Sequence, residues 1–214
     1  MRNNWFVKHG PMCVITILII SFVSQGRAEV HCQDFLNPPY RVCESGIPSH
    51  LIHIAAINNP QFQSQWCWAA CISMVFNYYG HPIGQERLVT EAYGSIVNMP
   101  AEPWTILSIL NKEWVDDNGN IFTCISSPGS TDIVKAANDL AANMPLIIGT
   151  LGHAVVLTRL EYMAPYVQTP WGPQLGFINI TSATVRDPWP GRGRRDLSIM
   201  EWANISFAVQ IRVQ

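Results

Sequence analysis

Cys67 opens an apolar segment, Cys67-Trp-Ala-Ala-Cys-Ile-Ser-Met-Val-Phe-Asn-Tyr-Tyr, that Gly80 and Pro82 bring to a close. The pattern predicts a helix buried on most sides, with Gly80 as its C-cap. The first turn of such a helix is where a thiolate forms most easily. Unpaired backbone N–H groups and the positive end of the helix dipole favour the anion, and a nearby imidazolium lowers the thiol pKa further. A nucleophile of this kind needs a base to take its proton, a group to orient that base, and donors for the oxyanion that develops on an attacked carbonyl. Of the histidines considered as that base, His31, His50, His53, His81 and His153, only His153 follows the helical half of the chain and opens a strand.

The elements that must position these groups can be read from the periodicity. After the Cys67 helix come shorter helices over Gln85 to Tyr93, with Gly94 behind it, and over Pro103 to Glu113, with proline in the first turn. Thr131-Asp132 caps a fourth, which runs to about Met144 before Pro145. The period then changes: Leu146 to Thr150, His153 to Leu160, Gly176 to Ile180, Ser182 to Arg186 and Phe207 to Val213 read as strands. The stretch between Tyr162 and Gln174, with Pro165, Pro170 and Pro173, reads as a loop. Helices followed by strands indicate an α+β fold, the nucleophile helix of the N-terminal half packed on a C-terminal antiparallel sheet. Residues 29–60 carry Pro38-Pro39, Pro48 and Pro60 and read as an irregular lead-in, stapled by a Cys32–Cys43 disulfide loop; 61–214 is the functional domain.

Residues 1–28 read as an address. Arg2 and Lys8 precede a twelve-residue apolar run from Met12 to Val23, and Gly26-Arg27-Ala28 places small residues at a secretory cleavage site. The run falls short of the ~20 residues that span a bilayer. Cleavage after Ala28 leaves 186 residues with ten basic and fifteen acidic side chains, net −5. With 48% apolar and 13% charged residues overall, the composition excludes a disordered chain and argues against a nucleic-acid binder. Export favours disulfides, yet five cysteines remain after the leader: Cys32, Cys43, Cys67, Cys71 and Cys124. Five cannot all pair within one chain, so one thiol is left over.

Gln61-Phe-Gln-Ser-Gln-Trp-Cys67-Trp-Ala-Ala, leading into an apolar helix that ends in Tyr-Tyr-Gly, resembles the catalytic start of papain-like cysteine peptidases. It is most similar to their compact bacterial branch, which includes staphopains, plant-pathogen effector proteases and double-glycine-leader peptidases. The resemblance implies that Gln61, six residues before Cys67, donates its side-chain amide to the oxyanion hole; Gln63 and Gln65 compete by type but not by position. Gly152-His153-Ala-Val-Val-Leu resembles the family's histidine at the start of a sheet strand, and Val185-Arg186-Asp187-Pro188-Trp189 the strand end that supplies the orienting Asn or Asp. The order Cys, His, Asp matches, and the likeness runs from about residue 50 to the C-terminus. Asp187 stands where plant papain uses Asn; both accept a hydrogen bond from imidazole, and Asp stabilises the imidazolium more. Only residues 29–66 lie between the expected cleavage site and Cys67, too few for the long inhibitory pro-segment of lysosomal relatives. A separate inhibitor protein or the export route itself is then the expected brake.

Each residue also has a plainer role. Cys67 could be half of a disulfide, and Cys71 a core thiol or the disulfide partner of Cys124. A Cys67–Cys71 bridge is disfavoured by the geometry of i,i+4 helix positions, and Cys-x3-Cys with no second Cys/His pair is not a structural zinc pattern. His153 could be an internally bonded core histidine. Asp187 could start a turn before Pro188, with Asn179 as the rival orienter. Arg192, Arg194 and Arg195 form the one basic cluster and read as a solvated loop, with an acidic substrate contact as the lesser alternative. The expectation is a secreted or periplasmic monomeric cysteine endopeptidase acting on protein or peptide substrates, with no cofactor or metal, no nucleic acid and no stable membrane insertion after cleavage. Its site is Cys67, His153, Asp187 and Gln61. A cell-wall amidase or deamidase using the same thiol–imidazole pair, and a non-catalytic protease-like binding module, are the alternatives.

Overall fold

A computed structural model describes residues 30–214; the expected signal peptide lies outside the described residues. Ten strands and six helices follow in the order β1 (His31–Leu36), β2 (Pro39–Gly46), α1 (Ser49–Ile57), α2 (Cys67–Tyr78), α3 (Gln85–Tyr93), α4 (Pro103–Leu110), β3 (Lys112–Val115), β4 (Ile121–Pro128), α5 (Ile133–Ala141), β5 (Leu146–Thr150), β6 (His153–Thr169), β7 (Gly172–Leu175), β8 (Asn179–Asp187), β9 (Gly193–Asp196), α6 (Ile199–Ala203) and β10 (Ile205–Val213). The main path of the sheet is β1-β2-β6-β5-β10-β4-β3, with β7 and β8 on β6 and β9 on β8, and every pair is antiparallel. Among the described residues no helix is long and apolar enough to cross a membrane.

Strand β6 is the spine. Its first five residues pair with β5 and Arg159–Pro165 pair with β2, while β8 pairs with Val156–Met163. Because a strand has two edges, β5 and β2 succeed one another along one edge and β8 holds the other. Helix α2 packs against α1, β5 and β6, and its residues Trp68 to Phe76 are all buried. That burial follows from its composition, which has apolar or small side chains on every face.

The fold departs from the sequence expectation in several places, and the sheet expected to be C-terminal also takes in β1 and β2. The lead-in expected to be irregular forms the β1–β2 hairpin and α1. Its prolines sit where strands tolerate them, Pro38 in the turn and Pro39 at the first position of β2, and the Cys32–Cys43 disulfide joins directly opposed residues. Helix α4 stops at Leu110, and Lys112–Val115 turn back as β3. There Trp114 faces Phe122, and both rings pack edge-on against Phe76 of α2. The proline-rich stretch is a hairpin, with Pro170 in its turn and Pro173 on β7. That strand pairs only with β6, so a proline costs no ladder bond on its outer edge. Finally β8 begins at Asn179, and Gly176 to Ile178 lie outside it. Asp132 caps α5 as expected, accepting from Lys135 N–H at 2.9 Å.

Candidate active site

Helix α2 begins at Cys67, and no side chain caps its N-terminus, since Trp66 at that position carries no acceptor. The first-turn N–H groups are therefore left for an anion. Two indoles fix this end of the helix, Trp66 Nε1 donating to Val97 O at 2.8 Å and Trp68 Nε1 to Met99 O at 3.1 Å. Cys67 is half-buried, and the His153 imidazole and the backbone N–H groups of Ala154 and Trp68 surround its thiol. Burial alone would raise its pKa; these contacts outweigh burial and lower it.

His153 is placed by a two-residue turn. Leu151 and Gly152 join β5 to β6 with φ of 49° and 77°, the two left-handed residues of a type I′ hairpin, and Thr150 and His153 face each other across it. The side chain is 20% exposed, and its Nε2 lies 2.7 Å from Asp187 Oδ1. Burial opposes the charged imidazole, but the bonds to Asp187 and Cys67 prevail and raise its pKa to about 9. The thiol is lowered and the imidazole raised, so both shifts favour passing the thiol proton to His153.

Asp187 ends β8 with its side chain fully buried. Desolvation works against the carboxylate, yet donors surround it and hold it well below the usual range. Oδ1 also accepts Trp189 N–H at 2.9 Å, and Oδ2 accepts Arg195 Nε at 2.8 Å. The Trp189 ring stands edge-on to His153, with centroids 6.2 Å apart. Arg195 continues the chain of bonds with two more to Glu201, at 2.6 and 3.1 Å. Glu201 in turn closes a capping box with Ser198 at the start of α6, and its carboxyl is held down to about 2, chiefly by Arg195.

The basic cluster is thus not uniformly a solvated loop. Arg195 is 22% exposed and committed to Asp187 and Glu201, and Arg192 reaches Asp187 Oδ2 at 3.5 Å. Sequence reasoning missed Arg195, Glu201 and the partners of Trp189. The Ser198-x-x-Glu201 spacing was the available signal, since it marks a capping box.

The structure brings Cys67, His153 and Asp187 together, and Asn179 lies exposed at the far end of β8. Gln61 is tied to the site by its backbone, whose N–H donates to Pro188 O at 2.8 Å. Its amide turns into its own loop. Nε2 donates to Gln63 O at 3.1 Å and Ser64 O at 3.3 Å, and the buried Oε1 has no partner. Cys71 and Cys124 are buried free thiols, not a disulfide. Burial pushes Cys71 far above the ordinary thiol value and Cys124 up to about 12, so neither is a nucleophile at neutral pH.

Cys67 and His153 open on a cavity of about 370 Å³, walled on one side by Pro100–Pro103 and on the other by Gly149, Thr150 and Phe207. The Phe207 ring lies against Gly149, where any side chain would collide with it. A half-buried thiol and imidazole beside a cleft of this size suit nucleophilic attack on an amide carbonyl.

The Peptidase_C39 like family model matches residues 53–206. The chain belongs to that family and is a cysteine-type peptidase. Among solved structures it is similar to the peptidase domain of Streptococcus ComA, a bi-functional ABC transporter involved in a quorum-sensing pathway. That match has 16% identity, a TM-score of 0.44, and covers 72% of this chain and 94% of that one. No curated protein matches it.

Proposed function

We propose that the protein is an exported cysteine endopeptidase that cleaves peptide bonds through Cys67, His153 and Asp187. The reading is carried by one observation: a thiol at a helix N-terminus shares a cleft with an imidazole that is itself 2.7 Å from a buried carboxylate. The Cys67 thiolate attacks the scissile carbonyl. The oxyanion is held by the Cys67 backbone N–H, which has no acceptor within its helix, and by the Gln61 amide once Nε2 leaves the Ser64 carbonyl for the substrate. His153 gives its proton to the leaving amine, so a thioester forms as the C–N bond breaks. It then takes a proton from water, whose attack frees the acid and restores the thiol. Asp187 keeps the ring oriented and its positive form stable. The Cys32–Cys43 disulfide fits an oxidising compartment, which supports export.

A thiol-reactive epoxide tests the assignment. Labelling is expected in the wild type and in Cys71→Ala, and its loss in Cys67→Ala. No labelling of the protein with its free thiols reduced would overturn the reading, as would labelling that follows Cys71.

A further inference from the structure

A second and larger cavity, about 700 Å³, lies between the first turns of α1 and the β6, β8 and β9 strands. Neighbours on a strand point to opposite faces, so Asp187 serves the thiol–imidazole site while Arg186 lines this cavity. Arg186 is only 6% exposed, yet among the described residues no carboxylate pairs with it. Its guanidinium reaches His53 Nδ1 at 3.4 Å, and its buried Nε has no partner. Directly opposite across the β8–β9 ladder stands Arg194, also on the cavity wall and also without a carboxylate among the described residues.

Like charges in directly opposed positions repel, and a guanidinium withdrawn from water needs a counter-charge. Burial and the facing Arg194 both lower the Arg186 pKa, as expected of a cation lacking one. The cavity's own acid, Glu44, is committed to Arg159 at 2.7 Å. The cavity therefore presents two unneutralised guanidiniums, one of them buried, with His31, His50 and His53 beside them.

We propose that this cavity binds a phosphoryl group carried on a small organic molecule, with Arg186 and Arg194 as its counter-charges. A phosphate monoester brings nearly two negative charges and three strong acceptor oxygens at neutral pH, which matches two guanidiniums; a single carboxylate neutralises one. The volume lies in the range of small-ligand pockets and leaves room for an organic body against Ile47 and Ile52. The site is independent of the peptidase chemistry.

Calorimetric titration of the full chain with glycerol 3-phosphate, at an ionic strength held constant with chloride, tests it. Saturable one-site binding is expected, weakened at least tenfold in Arg194→Ala and in Arg186→Gln. Arg194 is exposed, so its replacement leaves the core intact and reads out binding even if Arg186→Gln does not fold. Absence of saturable binding, unchanged affinity in Arg194→Ala, or tighter binding of succinate than of the phosphate ester overturns the proposal.

Discussion

Replacing Arg195 by Met removes one charge-assisted hydrogen bond from a carboxylate that has no contact with water. The bond is 2.8 Å long, and the partners are 22% and 0% exposed. Such bonds contribute about 1.5–3 kcal/mol. Arg195 keeps some solvent and Arg192 remains within 3.5 Å of the same oxygen, so at least about 2 kcal/mol of stability should be lost, with the two bonds to Glu201 adding to it. For a domain of this size that is a fall in Tm of roughly 4–8 °C. Asp187 is then held by Trp189 N–H and Arg192 alone, and the looser orientation of His153 should lower kcat/KM several-fold. The pH profile separates this from mere loosening of the fold. Without the Arg195 cation Asp187 is more basic, so His153 holds its proton harder and the alkaline limb of kcat/KM moves above about 9. Glu201→Gln should give a smaller effect that is not additive with Arg195→Met, because the two share one network. An Arg195→Met enzyme with unchanged kcat/KM and an unmoved alkaline limb would refute the idea that the network reaches the imidazole.

Wild-type kcat/KM should trace a bell in pH, with its alkaline limb near 9 from His153 and its acid limb below the ordinary thiol value from Cys67. Because the His153 value is raised above 6.5, its contribution to stability is complete below that pH and lost as pH rises through about 9; melting curves should show the decline, reduced in His153→Asn. Gly152→Val forces a β-branched residue to φ 77° and should cost about 1–3 kcal/mol while lowering kcat through displacement of His153, both read from melting and steady-state kinetics. Reducing the Cys32–Cys43 bridge, which closes an 11-residue separation, should cost at most about 3 kcal/mol by loop entropy, and epoxide labelling of Cys67 should persist.

The buried helix, its start at Cys67 and the strand that opens on His153 were legible because each is a local pattern, a continuous apolar run or a period-2 alternation. The β3–β4 hairpin was not. Lys112 to Val115 carries too few residues to show a period, and its strand character comes from Trp114 meeting Phe122 and Phe76, which are remote in the chain. The lead-in failed for a related reason: proline density signals a loop, yet β2 borrows its regularity from pairing with β6. At the site, residue identities carried the chemistry of thiol, imidazole and carboxylate. The orientation of the Gln61 amide and the choice of Arg195 over its neighbours depend on three-dimensional packing, and no spacing rule encodes them.

Strand β10 follows every other strand in the chain yet lies inside the sheet, between β5 and β4. Until it arrives, β5 and β4 present bare edges, and the Phe207 wall of the catalytic cleft does not exist. The cleft is therefore incomplete until this long-range pairing has formed, the kind of step that makes sheet proteins slow to fold. A chain crossing a membrane unfolded would pass as an inert polypeptide and acquire its hydrolytic activity only where that final strand can insert. For such a chain the hazard would be aggregation at two open edges, not stray proteolysis.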